Sequence, residues 1–256
     1  MSSIIIEIKN NVGVIKINRP DVYNALNRES KASLVEAIKK LNKESAVSAI
    51  ILTGEGKAFC SGQDLSDPGV TSGSDFGKIL LEEWNPLVMS IKKSEKIVIG
   101  SLNGVCAGAG LSIALACDLK VSIPDNRLIS GFAQIGLIPD AGSDHLLVKG
   151  LGYSKALEYS LFGKPISSAE ALSFGLINEI HPSPLERSLE IASQIATLAP
   201  LSVKLIKKNL QHAEEHSFEE VIERETYLQR FMGFSGDYKE GVAAFKEKRK
   251  PNFSGK

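Results

Sequence analysis

The chain opens with two runs of β-branched residues, 4–8 and 12–18, with the turn formers Asn10, Asn11 and Gly13 between and beside them. Apolar runs joined by a short polar turn are typical of a β-hairpin, because the side chains of a strand alternate between two faces. We therefore predict that the chain begins with two paired strands.

Beyond the hairpin, apolar positions at helical spacing alternate with short runs that are almost entirely apolar. The spacing predicts helices at 28–43, 79–91, 110–116 and 165–174, and the apolar runs predict buried strands at 46–53, 97–102 and 119–123. Strands that alternate with helices in this way favour an α/β core over a sandwich or a helical bundle. The expected building block is a ββα unit.

The last quarter of the chain carries no strand signal. Four helical patterns follow one another there, at 185–198, 201–215, 218–232 and 237–248. Their apolar stripes have little remaining core to cover, which favours burial against other subunits. We place a boundary near residue 195, with a core at 1–195 and a helical oligomerisation region at 196–256.

Composition narrows the functional classes. A chain of 256 residues with 43% hydrophobic side chains can bury a large core. Lys plus Arg and Asp plus Glu are equal at 30 each, so no overall field attracts nucleic acid or an anionic membrane. The start, MSSIIIEIKNN, is too short and lacks the basic lead of a secretory signal, and no apolar run reaches the roughly 18 residues of a membrane span. We expect a cytoplasmic protein.

The three cysteines, Cys60, Cys106 and Cys117, lie in apolar contexts. Their spacing does not suit metal ligands, so we expect reduced structural thiols and no metal site. Cys60 has no histidine in a recognisable partner motif to activate it, which disfavours a nucleophilic role.

The first chemical signal is the glycine-rich segment NGVCAGAGLSIALACD, from Asn103 to Asp118. Its glycines precede a nearly all-apolar run, which predicts a buried helix that begins at the glycines. Such a helix end offers unpaired N–H groups to a developing negative oxygen, although packing alone would also explain the glycines. The third glycine of a dinucleotide fingerprint and the Gly-Lys-Ser/Thr of a phosphate loop are both missing, which excludes hydride transfer and nucleotide hydrolysis.

A second segment, GKAFCSGQDL, runs from Gly56 to Leu65. It resembles the "AFxxGxDL" pattern of the crotonase (enoyl-CoA hydratase/isomerase) superfamily, and NGVCAGAG resembles that family's "NGxxxGxG". NRPDVYNAL at 18–26, GLIPDAG, FGLINEI and the closing DYKEGVAAFKEKRKPNF are similar to its other landmarks. The resemblance implies a spiral of ββα units, a C-terminal helical trimerisation region and a coenzyme A thioester as substrate, with no separate cofactor.

The resemblance also implies a binding site. Carried over by position, the backbone N–H groups of Ser61 and Ala109 hold the thioester oxygen. Further candidates for substrate binding are Ala58, Gly62, Gln63, Asp64, Leu65, Gly108 and Phe132. Two lysines are also candidates: Lys57, near the loop expected to hold the adenine of coenzyme A, and Lys248, in a basic run that could reach a neighbouring subunit's ligand.

The residues at two positions limit which reactions of the family are possible. Hydratases of the family use two glutamates, which correspond by position to Ser112 and Phe132 here. Serine is at best a weak hydrogen-bonding group and phenylalanine cannot transfer a proton, so water addition lacks both its base and its acid.

Asp140 is the acid that remains, at a place where several isomerase branches of the family carry their catalytic carboxylate. One carboxylate can take a proton from one carbon and return it to another. A free Asp has a pKa of about 3.9, and an apolar wall of Phe132, Ile135, Leu137 and Ile138 is predicted to raise it. Pro-Asp ahead of a glycine is also ordinary turn chemistry.

Within the family, the nearest resemblance is to the branch that converts 1,2-epoxyphenylacetyl-CoA to an oxepin in phenylacetate catabolism. The shared features include Trp84 to Leu87 and GLIPDxG, whereas Ser143, Asp144 and His145 replace that branch's Gly-Thr-Trp. Two alternatives stay open: a Δ3,Δ2-enoyl-CoA isomerase or enoyl-CoA hydratase of fatty acid metabolism, and a noncatalytic binding protein. A homotrimer or a dimer of trimers is expected from the resemblance.

Overall fold

The computed structural model describes residues 2–71 and 73–256 and contains two β-sheets. The strands β1, β2, β3, β5, β7 and β10 form a six-stranded sheet in that spatial order, and β4, β6, β8 and β9 form a four-stranded sheet. Their bounds are β1 (Ile4–Lys9), β2 (Val12–Ile17), β3 (Ala49–Gly54), β4 (Ala58–Cys60), β5 (Ile97–Leu102), β6 (Val105–Ala107), β7 (Leu119–Ser122), β8 (Arg127–Ile129), β9 (Ile166–Ser167) and β10 (Glu179–Ile180).

The larger sheet contains the strands that the sequence predicts. β1 and β2 pair antiparallel, with Ile4 opposite Ile17, which confirms the hairpin. Its turn uses Asn10 and Asn11 in the left-handed region, where a short polar side chain is tolerated. The remaining pairs of this sheet are parallel. β3 is buried at every position because Ile50 and Leu52 belong to the main core cluster on one face, and Ala49 and Ile51 belong to a second cluster on the other.

The smaller sheet is made of two- and three-residue strands that pair across long sequence separations. Glycines let its backbones approach closely: a Cβ on Gly104 would lie 2.1 Å from the Lys57 carbonyl oxygen, and one on Gly110 would lie 2.1 Å from that of Cys60. Only glycine fits at such contacts. The two segments singled out in the sequence are therefore pressed together along β4 and β6.

Eleven α-helices lie among the described residues, besides two short 3-10 helices at Pro20–Val22 and Ala133–Ile135. The α-helices are α1 (Arg28–Lys43), α2 (Phe76–Ile79), α3 (Asn85–Lys92), α4 (Ala109–Ala116), α5 (Ser143–Leu151), α6 (Tyr153–Phe162), α7 (Ser168–Ser173), α8 (Pro184–Ile195), α9 (Pro200–Ala213), α10 (Phe218–Met232) and α11 (Gly236–Glu247). A π-helical turn, Leu80–Trp84, joins α2 to α3. Because β5, β6 and α4 follow one another directly, they form a complete ββα unit of the predicted kind.

The end of the chain is helical, as predicted. α8 packs on the larger sheet and α9 packs against α10, so the boundary predicted near residue 195 falls directly after α8. No single helix in the described chain has the length and apolar composition of a membrane span; α8 and α9 together pass that test, but they are bent by 110°.

Three local predictions were incomplete. The strands of the smaller sheet were not predicted, because a strand of two or three residues has no readable periodicity. The helices α5 and α6 were also not predicted. The helix predicted at 165–174 is shorter and follows strand β9. The helix predicted at 79–91 begins earlier and contains the π-helical turn.

Candidate active site

The turn after β4 presents a free backbone amide at Gln63. Leu26 forms a parallel bridge with Gln63: the Leu26 N–H donates to the Gly62 carbonyl oxygen at 2.8 Å, and the Asp64 N–H donates to the Leu26 carbonyl oxygen at 3.0 Å. In such a bridge the central residue directs its own N–H away from the partner strand. Within residues 2–71 and 73–256, the Gln63 N–H has no acceptor.

The assignment of Ser61 as an oxyanion donor is wrong. Its N–H donates to the Tyr23 carbonyl oxygen at 3.1 Å, and its hydroxyl donates to that of Val22 at 3.3 Å. An amide that already has an acceptor inside the protein is not available to a thioester oxygen. Gly62, at φ +96, turns the chain so that the next unpaired amide is that of Gln63, which the sequence had suggested only as a substrate-binding residue.

Ala109 is the first residue of α4, and its N–H is unpaired, as expected at the start of a helix. No acceptor for it lies elsewhere in the part of the chain that the structure describes. Gly108 precedes it at φ +52, a conformation that suits glycine. A Cβ placed on Gly62 would lie 3.1 Å from the Ala109 nitrogen, so the two segments are in contact there. The free amides of Gln63 and Ala109 thus border one place, at the positive end of α4.

Asp140 reaches the same end of α4 through its backbone. The hydroxyl of Ser112, one turn into α4, donates to the Asp140 carbonyl oxygen at 3.0 Å. The Asp140 side chain is half-buried, and its Oδ1 is enclosed without a hydrogen-bond partner among the described residues. The carboxyl therefore does not point into bulk solvent.

The environment of Asp140 suits proton transfer. Burial raises the pKa of its carboxyl to about 6, while the positive charge of Lys31 lowers this pKa and the negative charge of Asp144 raises it by smaller amounts. A carboxyl with a pKa near 6 can both accept and return a proton close to neutral pH.

The predicted apolar wall is only partly present. Phe132 is buried, and its Cζ lies 4.0 Å from the place a Gly108 Cβ would take. Leu137 packs on the core, but Ile135 and Ile138 are 57% and 79% exposed and do not enclose Asp140. The enclosure therefore comes mainly from the docking of the Asp140 segment against α4.

The two positions at which family hydratases carry glutamate hold no acid and are fully packed. Ser112 is buried and uses its hydroxyl on the Asp140 backbone, and Phe132 is buried. Neither side chain can activate a water molecule. Asp140 is left as the carboxyl whose segment is bonded to α4, with the exposed Asp144 one turn further along.

The other predicted site residues differ in their surroundings. Ala58 is buried in β4, and Gly62 and Gly108 shape the contact between the segments. The Asp64 carboxylate already has partners inside the protein: it lies 2.8 Å from the Arg19 guanidinium and accepts a hydrogen bond from the Ser66 hydroxyl at 2.6 Å. It is therefore a fold-stabilising residue, and the prediction that it binds substrate is not supported.

Leu65, Lys57 and Lys248 are exposed, and their roles toward coenzyme A stay predictions. Cys60 is buried, and burial raises the pKa of its thiol to about 12, which makes it a poor nucleophile at neutral pH. His145 is exposed on α5.

One group beside the site was not found by sequence reasoning. The Gln63 side-chain oxygen accepts hydrogen bonds from Lys31 Nζ at 2.8 Å and from Trp84 Nε1 at 2.9 Å. Lys31 appears in the sequence as one more position of an amphipathic helix, and no local pattern marks it as buried.

Comparison with known proteins assigns the chain to a family. Residues 7–256 match the family model described as enoyl-CoA hydratase/isomerase. The 1,2-epoxyphenylacetyl-CoA isomerase of Escherichia coli is 34% identical over the full length of both chains. A protein of Rhodobacter capsulatus named "probable enoyl-CoA hydratase" is 36% identical over 98% of this chain and 97% of its own.

Solved structures agree with this placement. The enoyl-CoA hydratase of Bacillus anthracis superposes with a TM-score of 0.94 at 28% identity, over all of both chains. Because these similar proteins are named both as isomerases and as hydratases, the reaction has to be argued from the site itself.

Proposed function

The chain belongs to the enoyl-CoA hydratase/isomerase family, and we propose that within it this protein is an isomerase that moves a proton along the acyl chain of a coenzyme A thioester. The observation that carries the proposal is the state of Asp140: a half-buried carboxyl with an unpaired Oδ1, held beside α4, at a site where Ser112 and Phe132 replace the hydratase glutamates.

The proposed step begins with the Asp140 carboxylate. It removes a proton from the carbon next to the thioester carbonyl, and the electron pair of that C–H bond moves onto the carbonyl oxygen. The Gln63 and Ala109 amides donate to this oxygen as it becomes negative. One such donor is worth about 2.7 to 4 kcal/mol of transition-state stabilisation.

The same carboxyl then completes the reaction. Protonated Asp140 returns its proton to the carbon two positions further along the chain, and the double bond shifts toward the thioester. No water is consumed and the carboxylate is regenerated. A positioned acid–base of this kind contributes roughly 10² to 10⁴ in rate.

For the acyl group, we propose 1,2-epoxyphenylacetyl-CoA. The ring C–C bond that carries its epoxide oxygen opens as the ring electron pairs shift, which gives the seven-membered oxepin, and the proton transfer described above then moves a double bond toward the thioester. The proposal is supported by the full-length similarity to the Escherichia coli isomerase of that name and by the shared GLIPDxG and aromatic-Asn-Pro-Leu segments. A Δ3,Δ2-enoyl-CoA isomerase is the second candidate, since it needs the same amides and the same single carboxyl.

The test is a set of incubations with 3-hexenoyl-CoA, 2-hexenoyl-CoA and 1,2-epoxyphenylacetyl-CoA, followed by mass spectrometry and chromatography. We expect products of unchanged mass, and dominant gain of water would overturn the proposal. Asp140→Asn should abolish turnover while thioester binding persists. Asp144→Asn is the matched control, because that carboxyl is exposed on the next turn and should be dispensable.

We further propose that the chain assembles as a homotrimer or a dimer of trimers. Apolar side chains of the C-terminal helices lie in solvent in the single chain, among them Leu210, Phe231 and Phe245 at 64%, 60% and 86% exposure. Patches of this kind mark interaction surfaces. Light scattering that shows a monomer would contradict this assembly.

A further inference from the structure

A buried polar cluster lies directly behind the Gln63 amide. Lys31 Nζ lies 2.5 Å from Glu83 Oε2, 2.8 Å from Gln63 Oε1 and 5.0 Å from the centre of the Trp84 ring. Trp84 Nε1 donates to the same Gln63 oxygen at 2.9 Å, and Gln63 Nε2 donates to the Asp64 carbonyl oxygen at 3.1 Å. Every polar atom of the Gln63 side chain is thereby held.

Burying a charged cluster of this kind in a protein core costs free energy. Lys31 is 1% exposed and Trp84 is 2% exposed. A buried lysine requires a partner, and a buried ion pair is often no more stabilising than apolar residues of the same volume. Glu83 and Trp84 come from the π-helical turn between α2 and α3, an irregularity that is common at functional sites. Stability alone is therefore a weak reason for the cluster.

The cluster acts on both halves of the proposed catalytic apparatus, by contact on one and by charge on the other. On one side it holds Gln63, whose backbone is fixed by Leu26 and whose N–H is free. In addition, the positive charge of Lys31 lowers the pKa of the Asp140 carboxyl against the larger effect of burial. Lys31 is thus one side chain that acts on both the amide and the acid.

We propose that Lys31 is a positioning residue for this reaction: it clamps Gln63 so that its amide stays directed at the thioester oxygen, and its positive charge favours the ionised form of Asp140. The inference rests on the proposed function. Trp84 provides only the first of these two actions, because its indole N–H holds the Gln63 oxygen but carries no charge.

The charged groups around this pair define the expected pH behaviour. The charges that act on Asp140 are those of Lys31 from α1 and Asp144 from α5. Lys31 itself faces Glu83, whose carboxylate is also approached by Arg28 at 3.6 Å. Replacing Lys31 with a neutral side chain removes the positive charge that favours ionised Asp140, so the pKa of Asp140 should rise further.

The experiment compares kcat and KM against pH for wild type, Lys31→Met and Trp84→Phe, with 3-hexenoyl-CoA and 1,2-epoxyphenylacetyl-CoA as probes. Lys31→Met should lower kcat at least tenfold, change KM little, and move the acidic limb of the profile upward. Trp84→Phe should lower kcat without moving the limb. Lys207→Met is the matched control, because Lys207 is also a buried lysine paired with a carboxylate, Asp118, at 2.7 Å, away from Asp140.

A second readout does not depend on turnover. Carbon-13 NMR of carboxyl-labelled aspartate, with the Asp140 signal assigned by its loss in Asp140→Asn, reports the pKa of Asp140 directly. An upward shift in Lys31→Met but not in Trp84→Phe or Lys207→Met supports the inference. An unmoved Asp140 titration, or a kinetic effect equal to that of Lys207→Met, overturns it. If Asp140→Asn keeps full turnover, the proposed function fails instead, whatever Lys31 does.

Discussion

The hydroxyl of Ser112 donates a hydrogen bond to the carbonyl oxygen of Asp140 at 3.0 Å, and this bond joins the oxyanion helix α4 to the proposed acid–base. Ser112 stands where hydratases of the family, by resemblance, carry a glutamate. The position thus has a different use in this protein: it fixes the backbone of Asp140 relative to the Ala109 amide one turn earlier on the same helix.

Ser112→Ala should loosen Asp140. Loss of one buried hydrogen bond costs about 1 kcal/mol of unfolding free energy, and misplacement of the acid should lower kcat by roughly tenfold with little change in KM. Thermal denaturation and steady-state kinetics measure the two effects. The matched control is Ser101→Ala, since the Ser101 hydroxyl is also buried but has no partner among the described residues. Equal kinetics in the two variants would remove Ser112 from its role.

The pH dependence of turnover should reveal Asp140. Because the carboxylate form takes the first proton and its pKa is raised to about 6 by burial, kcat/KM should fall about tenfold per pH unit below pH 6 and level off above it. A profile taken between about pH 4.5 and 8.5 with a stable thioester checks this. An acidic limb near pH 4 would mean that the working acid is an ordinary exposed carboxyl.

Asp140→Asn should stabilise the fold at neutral pH. The folded pKa of about 6 lies above the unfolded value near 3.8, so ionising this carboxyl costs more in the folded protein. The cost is absent below about pH 4 and complete above about pH 6. After allowance for solvent screening of a half-buried group, the gain should be about 1 to 2 kcal/mol at pH 8 and should vanish toward pH 4. Urea unfolding at both pH values measures it, and a gain independent of pH would contradict it.

Ala109→Pro should remove one oxyanion donor with little change to the helix. Proline is well tolerated at the first helical position, and α8 and α9 of this chain already begin with Pro184 and Pro200. The loss of the N–H should lower kcat by about 10² to 10³. Calorimetry with a nonreactive acyl-CoA measures whether coenzyme A binding persists.

Phe218→Pro is the control for this variant. It makes the same change at the first position of α10, which is exposed and begins after the Ser217 cap. Both variants should remain folded, and only Ala109→Pro should lose turnover. Normal activity in Ala109→Pro would exclude that amide as a donor.

Several elements of the fold could be predicted from local sequence alone. The hairpin, the strands β3, β5 and β7, and the C-terminal helices follow from periodicity, because each is long enough to present a repeating apolar face. The glycines at 104, 108 and 110 were recognisable as places of close backbone approach. Asp140 was identified from its motif, and the structure places its carboxyl inside the protein.

Other features required the third dimension. The choice between Ser61 and Gln63 depended on which amide already had an acceptor, and the acceptor for Ser61, the Tyr23 carbonyl, lies in a distant part of the chain. The prediction of an apolar wall around Asp140 was wrong at Ile135 and Ile138, because apolar composition does not tell whether a loop residue faces the core or the solvent.

The amino-acid sequence by itself determined the periodic elements, the family resemblance and the single acid, because these are properties of residue types and of their spacing along the chain. Only the tertiary structure decided which amides are free, what encloses Asp140, and that Lys31 is buried behind Gln63. Hydrogen bonding and burial are exclusive: a donor satisfied by one distant acceptor is lost to every other, and no local pattern records that outcome.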